Sequence, residues 1–146
     1  MTITVKVEGL KDLESALFGL KTATAKGVGR RTLKKAGAPL ADKMRALAPE
    51  AQGDLKDAIG VSTKTRRDMR RVDPVEVHVG VATSEGRVAV NQEFGNEDHP
   101  AQPFARPAWQ GMKMAVLDDI KDTLAVEVAK SVARAERKAA RAAAKG

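Results

Sequence analysis

The chain has 146 residues, a net charge of +7, 42% hydrophobic residues with only 3% aromatics, and no cysteine. This length suits one domain with a thin aliphatic core, for which oligomerisation is one way to bury more surface. The absence of cysteine excludes disulfides and thiolate metal sites, while the basic balance permits contact with nucleic acid or with acidic protein without choosing between them.

Met1-Thr2-Ile3-Thr4 alternates from the start and shows no basic region followed by an apolar core, so no secretory signal is read. No apolar run approaches the length of a bilayer span. The expectation is a protein of the cytoplasm, without a membrane. Thr2 to Glu8 reads as a strand, with Ile3, Val5 and Val7 on one face. Gly9 marks a change to helical period. Leu10, Leu13, Leu17 and Leu20, with Ala16, predict a first amphipathic helix. Gly27 and Gly29 weaken its continuation. A second helix follows through Leu33, Leu40, Met44 and Leu47, with a kink or break expected at Pro39 and an end at Ala48-Pro49.

Gly53 to Ser62 reads as one turn leading into a strand. Val75, Val77, Val79 and Val81 alternate with Glu76, His78 and Gly80, which predicts a half-buried strand. Ser84-Glu85-Gly86 is then expected to turn the chain into a partner strand from Arg87 to Val90. Before these lies a basic run, Lys64, Arg66, Arg67, Arg70 and Arg71, read as a solvated loop or as an arm that orders on a neighbouring subunit. No aromatic interleaves its charges to stack bases.

Asn96 to Pro107 is irregular because Pro100, Pro103 and Pro107 forbid regular ladders, and Pro107 suits the first turn of a helix. Trp109, Met112, Val116, Ile120, Leu124, Val128 and Val132 then form one apolar stripe. About 38 residues of helix would span roughly 57 Å. The last part, Ala133 to Gly146, has helix propensity but no apolar stripe, and Lys130, Arg134, Arg137, Lys138, Arg141 and Lys145 are expected to decorate most sides of it. The fold class is α+β: a small antiparallel sheet packed against two N-terminal helices and one long C-terminal helix. Residues 1–132 form one domain and residues 133–146 a helical extension.

No catalytic, cofactor or metal motif is present. His78 and His99 stand in different contexts, and neither an HExxH nor a metal-ligand spacing occurs. Gly27-Val28-Gly29 lacks the third glycine and the preceding strand of a dinucleotide fingerprint. The distinctive stretch is Glu93-Phe94-Gly95 followed by Ala101-Gln102-Pro103-Phe104-Ala105-Arg106-Pro107-Ala108-Trp109. Phe94, Phe104 and Trp109 are expected to plug the gap between sheet and long helix, held by the prolines. Arg106 gains nothing from the dipole at a helix start, so it is expected to meet an acidic partner, Glu93 or a residue of another subunit.

At these residues the chain resembles the tail-component family of long-tailed bacteriophages, also described as tail-completion or head–tail connector proteins. The resemblance runs through Glu8-Gly9-Leu10, Arg30-Arg31-Thr32-Leu33-Lys34-Lys35-Ala36, Ala48-Pro49 and Gly53-Asp54-Leu55, then Glu93-Phe94-Gly95 and the Ala101–Ala108 segment, from about Val5 to Lys130. Asn96 and Ala58 depart from the residues usual at their places. The resemblance implies a non-enzymatic structural protein of the virion, made in the host cytoplasm and needing no cofactor. It further implies a homo-oligomeric ring, a hexamer, at the head-proximal end of the tail tube, which completes the tail for head–tail joining. Tail-tube and head-neck proteins are the implied partners, and DNA passes the lumen without specific binding. The same part suits a phage, a prophage or a gene transfer agent. The alternatives are a basic nucleic-acid-binding protein, and a tail terminator or minor tail protein located elsewhere in the tail.

Overall fold

The computed structural model describes residues 10–50, 53–63 and 75–146. The strand expected at Thr2 to Glu8 and the basic run Lys64, Arg66, Arg67, Arg70 and Arg71 lie outside the described residues. Helix α1 covers Leu10–Phe18 and α2 covers Thr22–Leu47. Helix α3 (Gly53–Ala58) leads directly into strand β1 (Ile59–Ser62), as the sequence predicts. Strand β2 (His78–Val81), a 3₁₀ turn at Thr83–Glu85, α4 (Gly86–Phe94) and α5 (Ala105–Ala144) complete the order.

The architecture is α+β, mostly helical, with a two-stranded sheet and a long carboxy-terminal helix. Strands β1 and β2 pair antiparallel, Ile59 opposite Val81 and Val61 opposite Val79. These four side chains form the inner face, which packs on α2. Helix α2 lies between the sheet and α5 and touches both. One core unites Leu40, Met44, Leu55, Ile59, Phe104 and Val116 with the small residues Ala36, Ala41, Ala48 and Ala108.

Helix α2 runs unbroken through Gly27, Gly29 and Pro39, contrary to the expected interruption. Tertiary packing offsets the local cost. Val28, Thr32, Ala36, Leu40 and Met44 recur every four residues and are all buried. A side chain at Gly37 would place Cβ 2.9 Å from Val79 Cγ2, and one at Gly29 the same distance from Val75 Cγ1. The glycines therefore let the sheet side approach the helix closely. The buried row uses small residues where the sequence pattern pointed to Leu33 and Leu47; Leu33 is half-buried and Leu47 is 39% exposed. Arg45 secures the far end, its Nε and Nη2 donating to the Ile59 carbonyl at 3.1 and 2.6 Å.

The partner strand expected at Arg87 to Val90 is instead part of helix α4. Val88 and Val90 make too short an alternation to fix a strand. β2 takes its partner from β1, while Ala89 packs on the core and Val90 faces solvent. β2 is also shorter than predicted: Val75 and Val77 precede it.

Helix α5 has 40 residues. Ala108, Val116 and Val128 are buried, and Met112, Ile120, Leu124 and Val132 are half-buried. From Arg134 onward every residue is exposed, so the helix outruns the body.

Candidate functional site

The most constrained constellation joins the end of α4 to the start of α5. The residue that precedes α5, Phe104, offers no capping side chain, so the first N–H groups need another acceptor. Glu93 supplies it from α4. Its Oε2 accepts from the Phe104 and Ala105 N–H groups at 2.8 and 2.9 Å. Its Oε1 accepts from the Arg106 N–H at 3.0 Å and from Arg106 Nε at 2.9 Å. Arg106 Nη2 closes the ring by donating to the Glu93 carbonyl at 2.8 Å. A carboxylate against a helix start is favoured by the dipole as well.

Glu93 is buried. Burial pushes its pKa up, but the N–H groups of Ala105, Phe104 and Arg106 and the Arg106 guanidinium outweigh this and bring it down to about 2. The acidic partner expected for Arg106 is thus Glu93 of the same chain.

Gly95 makes the return possible. Its φ is +74°, and a Cβ there would meet the Ala101 nitrogen at 2.8 Å and the His99 oxygen at 2.9 Å. Asn96 and His99 then bridge, Asp98 N–H donates to Asn96 Oδ1, and Gln102 N–H donates to the Gln92 carbonyl at 2.7 Å. Pro103 and Pro107 are exposed, Pro107 within the first turn of α5.

Of the three aromatics expected to plug the gap, only Phe104 does so, at 1% exposure. Phe94 is 63% exposed, with the Arg106 guanidinium 4.7 Å from its ring centroid. Trp109 is 48% exposed. Ala108 takes the inward place beside Phe104, because the two apolar positions on the first turns of α5 compete for one narrow gap.

A second polar centre, which the sequence pattern does not reveal, joins α2 to α5. Glu127 lies on the buried face of α5, where Arg31 Nε reaches it at 2.9 Å, with Lys35 at 3.5 Å and Lys130 at 3.9 Å. The Arg31 hydrogen bond leads in lowering its pKa, against burial, with help from Lys35 and Lys130. A Glu beside Val128 was the only local signal; its partner stands 96 residues away.

Among the described residues, chemically reactive side chains are not gathered. His78 Nε2 lies 3.2 Å from Glu76 and stands across the strands from Ser62, on the open outer face of the sheet. His99 sits in the Asn96–His99 turn, remote in role from His78. Among the described residues, no group of three or more His, Asp or Glu converges to hold a metal ion, and no helix is long and apolar enough to cross a membrane.

In the best-built constellation, charge and backbone hydrogen bonds seat the start of a long helix. The chain matches, over residues 11–95, the family described as "Bacteriophage HK97-gp10, putative tail-component". That is more than half its length, and the chain belongs to this family. It is a structural tail component of a bacteriophage particle, and so works among other tail and head proteins of the virion. The matched stretch takes in Glu93-Phe94-Gly95 and ends before Ala101–Trp109. No curated protein and no solved structure matches the chain.

Proposed function

We propose that the protein forms a homo-oligomeric ring, a hexamer, at the head-proximal end of the tail tube, and there completes the tail for head–tail joining. Family membership carries this reading. The surface supports it: Phe94, Trp109, Met114 and Val126 stay exposed on a subunit with few large apolar residues to spare, and such groups suit contact with other subunits. The role is structural, not catalytic, in a phage, prophage or gene transfer agent whose parts assemble in the host cytoplasm.

Glu93, Gly95, Pro103, Phe104, Arg106 and Pro107 serve the subunit's own architecture. Phe94 and Trp109 have solvent-facing area to offer a neighbour. Lys64, Arg66, Arg67, Arg70 and Arg71 are assigned to subunit or partner contact. DNA crosses the lumen without specific binding, since a conduit that gripped phosphates would stall a sliding polymer. Residues 1–132 act as one domain and residues 133–146 as its extension.

Electron microscopy of particles made without the protein tests the reading. Full heads beside separate tails of normal length are expected. Normally joined particles would exclude the joining role, and tails of altered length would indicate a terminator or minor tail protein. Tight duplex binding by the isolated protein, falling steeply with salt, would favour a nucleic-acid-binding protein instead.

A further inference from the structure

The exposed end of α5 carries Lys130, Arg134, Arg137, Lys138, Arg141 and Lys145. At 3.6 residues per turn these six fall within an arc of about 100° and span about 22 Å along the axis. They form one stripe, not the all-round decoration expected from the sequence. Glu136 lies on another side, and the remaining positions from Ala133 to Ala144 are alanine. Arg134, Lys138, Arg141 and Lys145 have no ion-pair partner among the described residues. Arg137 Nε donates to the Ala133 carbonyl at 3.2 Å, and Lys130 is 3.9 Å from Glu127.

The same helix bears a complementary surface nearer its start. Met114, Asp118, Asp122 and Val126 recur every four residues along one row. Met114 is 51% and Val126 52% exposed. Asp118 and Asp122 are exposed, without an ion-pair partner among the described residues. The row is turned roughly 130° about the axis from the cationic stripe.

Two surfaces of opposite sign that face apart on one rod cannot both be used in a single two-fold pair. They suit a head-to-tail contact, in which each copy offers its stripe to one neighbour and its acidic row to the other, and which closes into a ring. We propose that the basic end of α5 docks on the Met114–Val126 row of α5 in the adjacent copy. The inference rests on the ring reading and names the surfaces that build the ring. A second copy fits better than nucleic acid. The chain supplies its own acidic complement, exposed apolar side chains flank that complement, and no aromatic accompanies the cations to stack bases.

The test uses full-length protein, half of it isotope-labelled, joined by a carbodiimide that links lysine to carboxylate at contact distance. Bonds between labelled and unlabelled copies are expected from Lys130, Lys138 or Lys145 to Asp118 or Asp122. Reversing the row (Asp118→Lys with Asp122→Lys) or the stripe (Arg134→Glu with Arg141→Glu) lowers their yield about tenfold. Mixing the two variants restores it to about half the starting value, because one contact in two then pairs an unaltered stripe with an unaltered row. Circular dichroism checks that each variant is folded. Failure of the mixture to recover, or no bond between these surfaces, overturns the docking. If microscopy of the particle still shows a ring, the ring reading stands without it; a particle with no ring removes both. Binding of a short duplex that the stripe reversal abolishes, with copy-to-copy bonds unaffected by the row reversal, assigns the stripe to nucleic acid and overturns the proposal.

Discussion

Glu93 concentrates five hydrogen bonds on one residue, four to its carboxylate and one to its carbonyl, and so decides where α5 begins. Glu93→Ala strands the first N–H groups of the helix and leaves Arg106 without its carboxylate. It is expected to cost about 2–4 kcal/mol, measured by urea unfolding. Glu93→Gln keeps the shape and loses the charge, so it should cost less. The pKa of Glu93 is lowered in the fold from 4.5 to about 2. Its contribution is therefore full above pH 4.5 and is lost as pH falls through about 2. Over that window the wild type should lose stability relative to Glu93→Gln; parallel curves would show that the carboxylate is not held as described. Gly95→Ala forces a side chain onto the Ala101 nitrogen in a left-handed conformation, and about 2 kcal/mol or more should be lost in the same assay. Arg106 could be assigned an acidic partner from the sequence because a cation at a helix start lacks a local one. That Glu93 would also cap the helix could not be read, since the link depends on how Gly95 to Pro103 folds back.

At the scale of elements, α5 is fastened by Phe104 and Ala108, while Phe94 and Trp109 stay in contact with solvent. Phe104→Ala should cost about 3–5 kcal/mol through loss of burial and the cavity left behind. Phe94→Ala and Trp109→Ala should each cost about 1 kcal/mol or less in unfolding, because little area is lost from the core. Equal losses at all three positions would contradict the observed burial. Helix α2 shows how packing overrides propensity: three glycines and a proline sit within one unbroken helix, and at Gly29 and Gly37 the sheet side comes close to it. The opposite error arises at α4, where three residues of alternation, Val88-Ala89-Val90, imitate a strand. Short periodic runs carry little information, and the element with the better partner wins.

For the whole molecule, the exposed end of α5 separates stability from assembly. Removing residues 133–146 should change the unfolding free energy by about 1 kcal/mol or less, because from Arg134 onward nothing is buried. The same truncation should remove the copy-to-copy bonds proposed from Lys138 and Lys145 and weaken those from Lys130. A large loss of stability would mean that this end belongs to the folded body. The sequence by itself determined the α+β class, the first helix, the turn into β1, the length and late exposure of α5, and the family, since strong periodicity and local motifs depend on residues near one another in the chain. Only the tertiary structure decided which aromatic is buried, which strand pairs with β2, that Glu93 seats α5, and that Arg31 meets Glu127. Each of those outcomes is a competition between distant segments for the same gap, edge or counter-charge, and spacing along the chain does not rank the competitors.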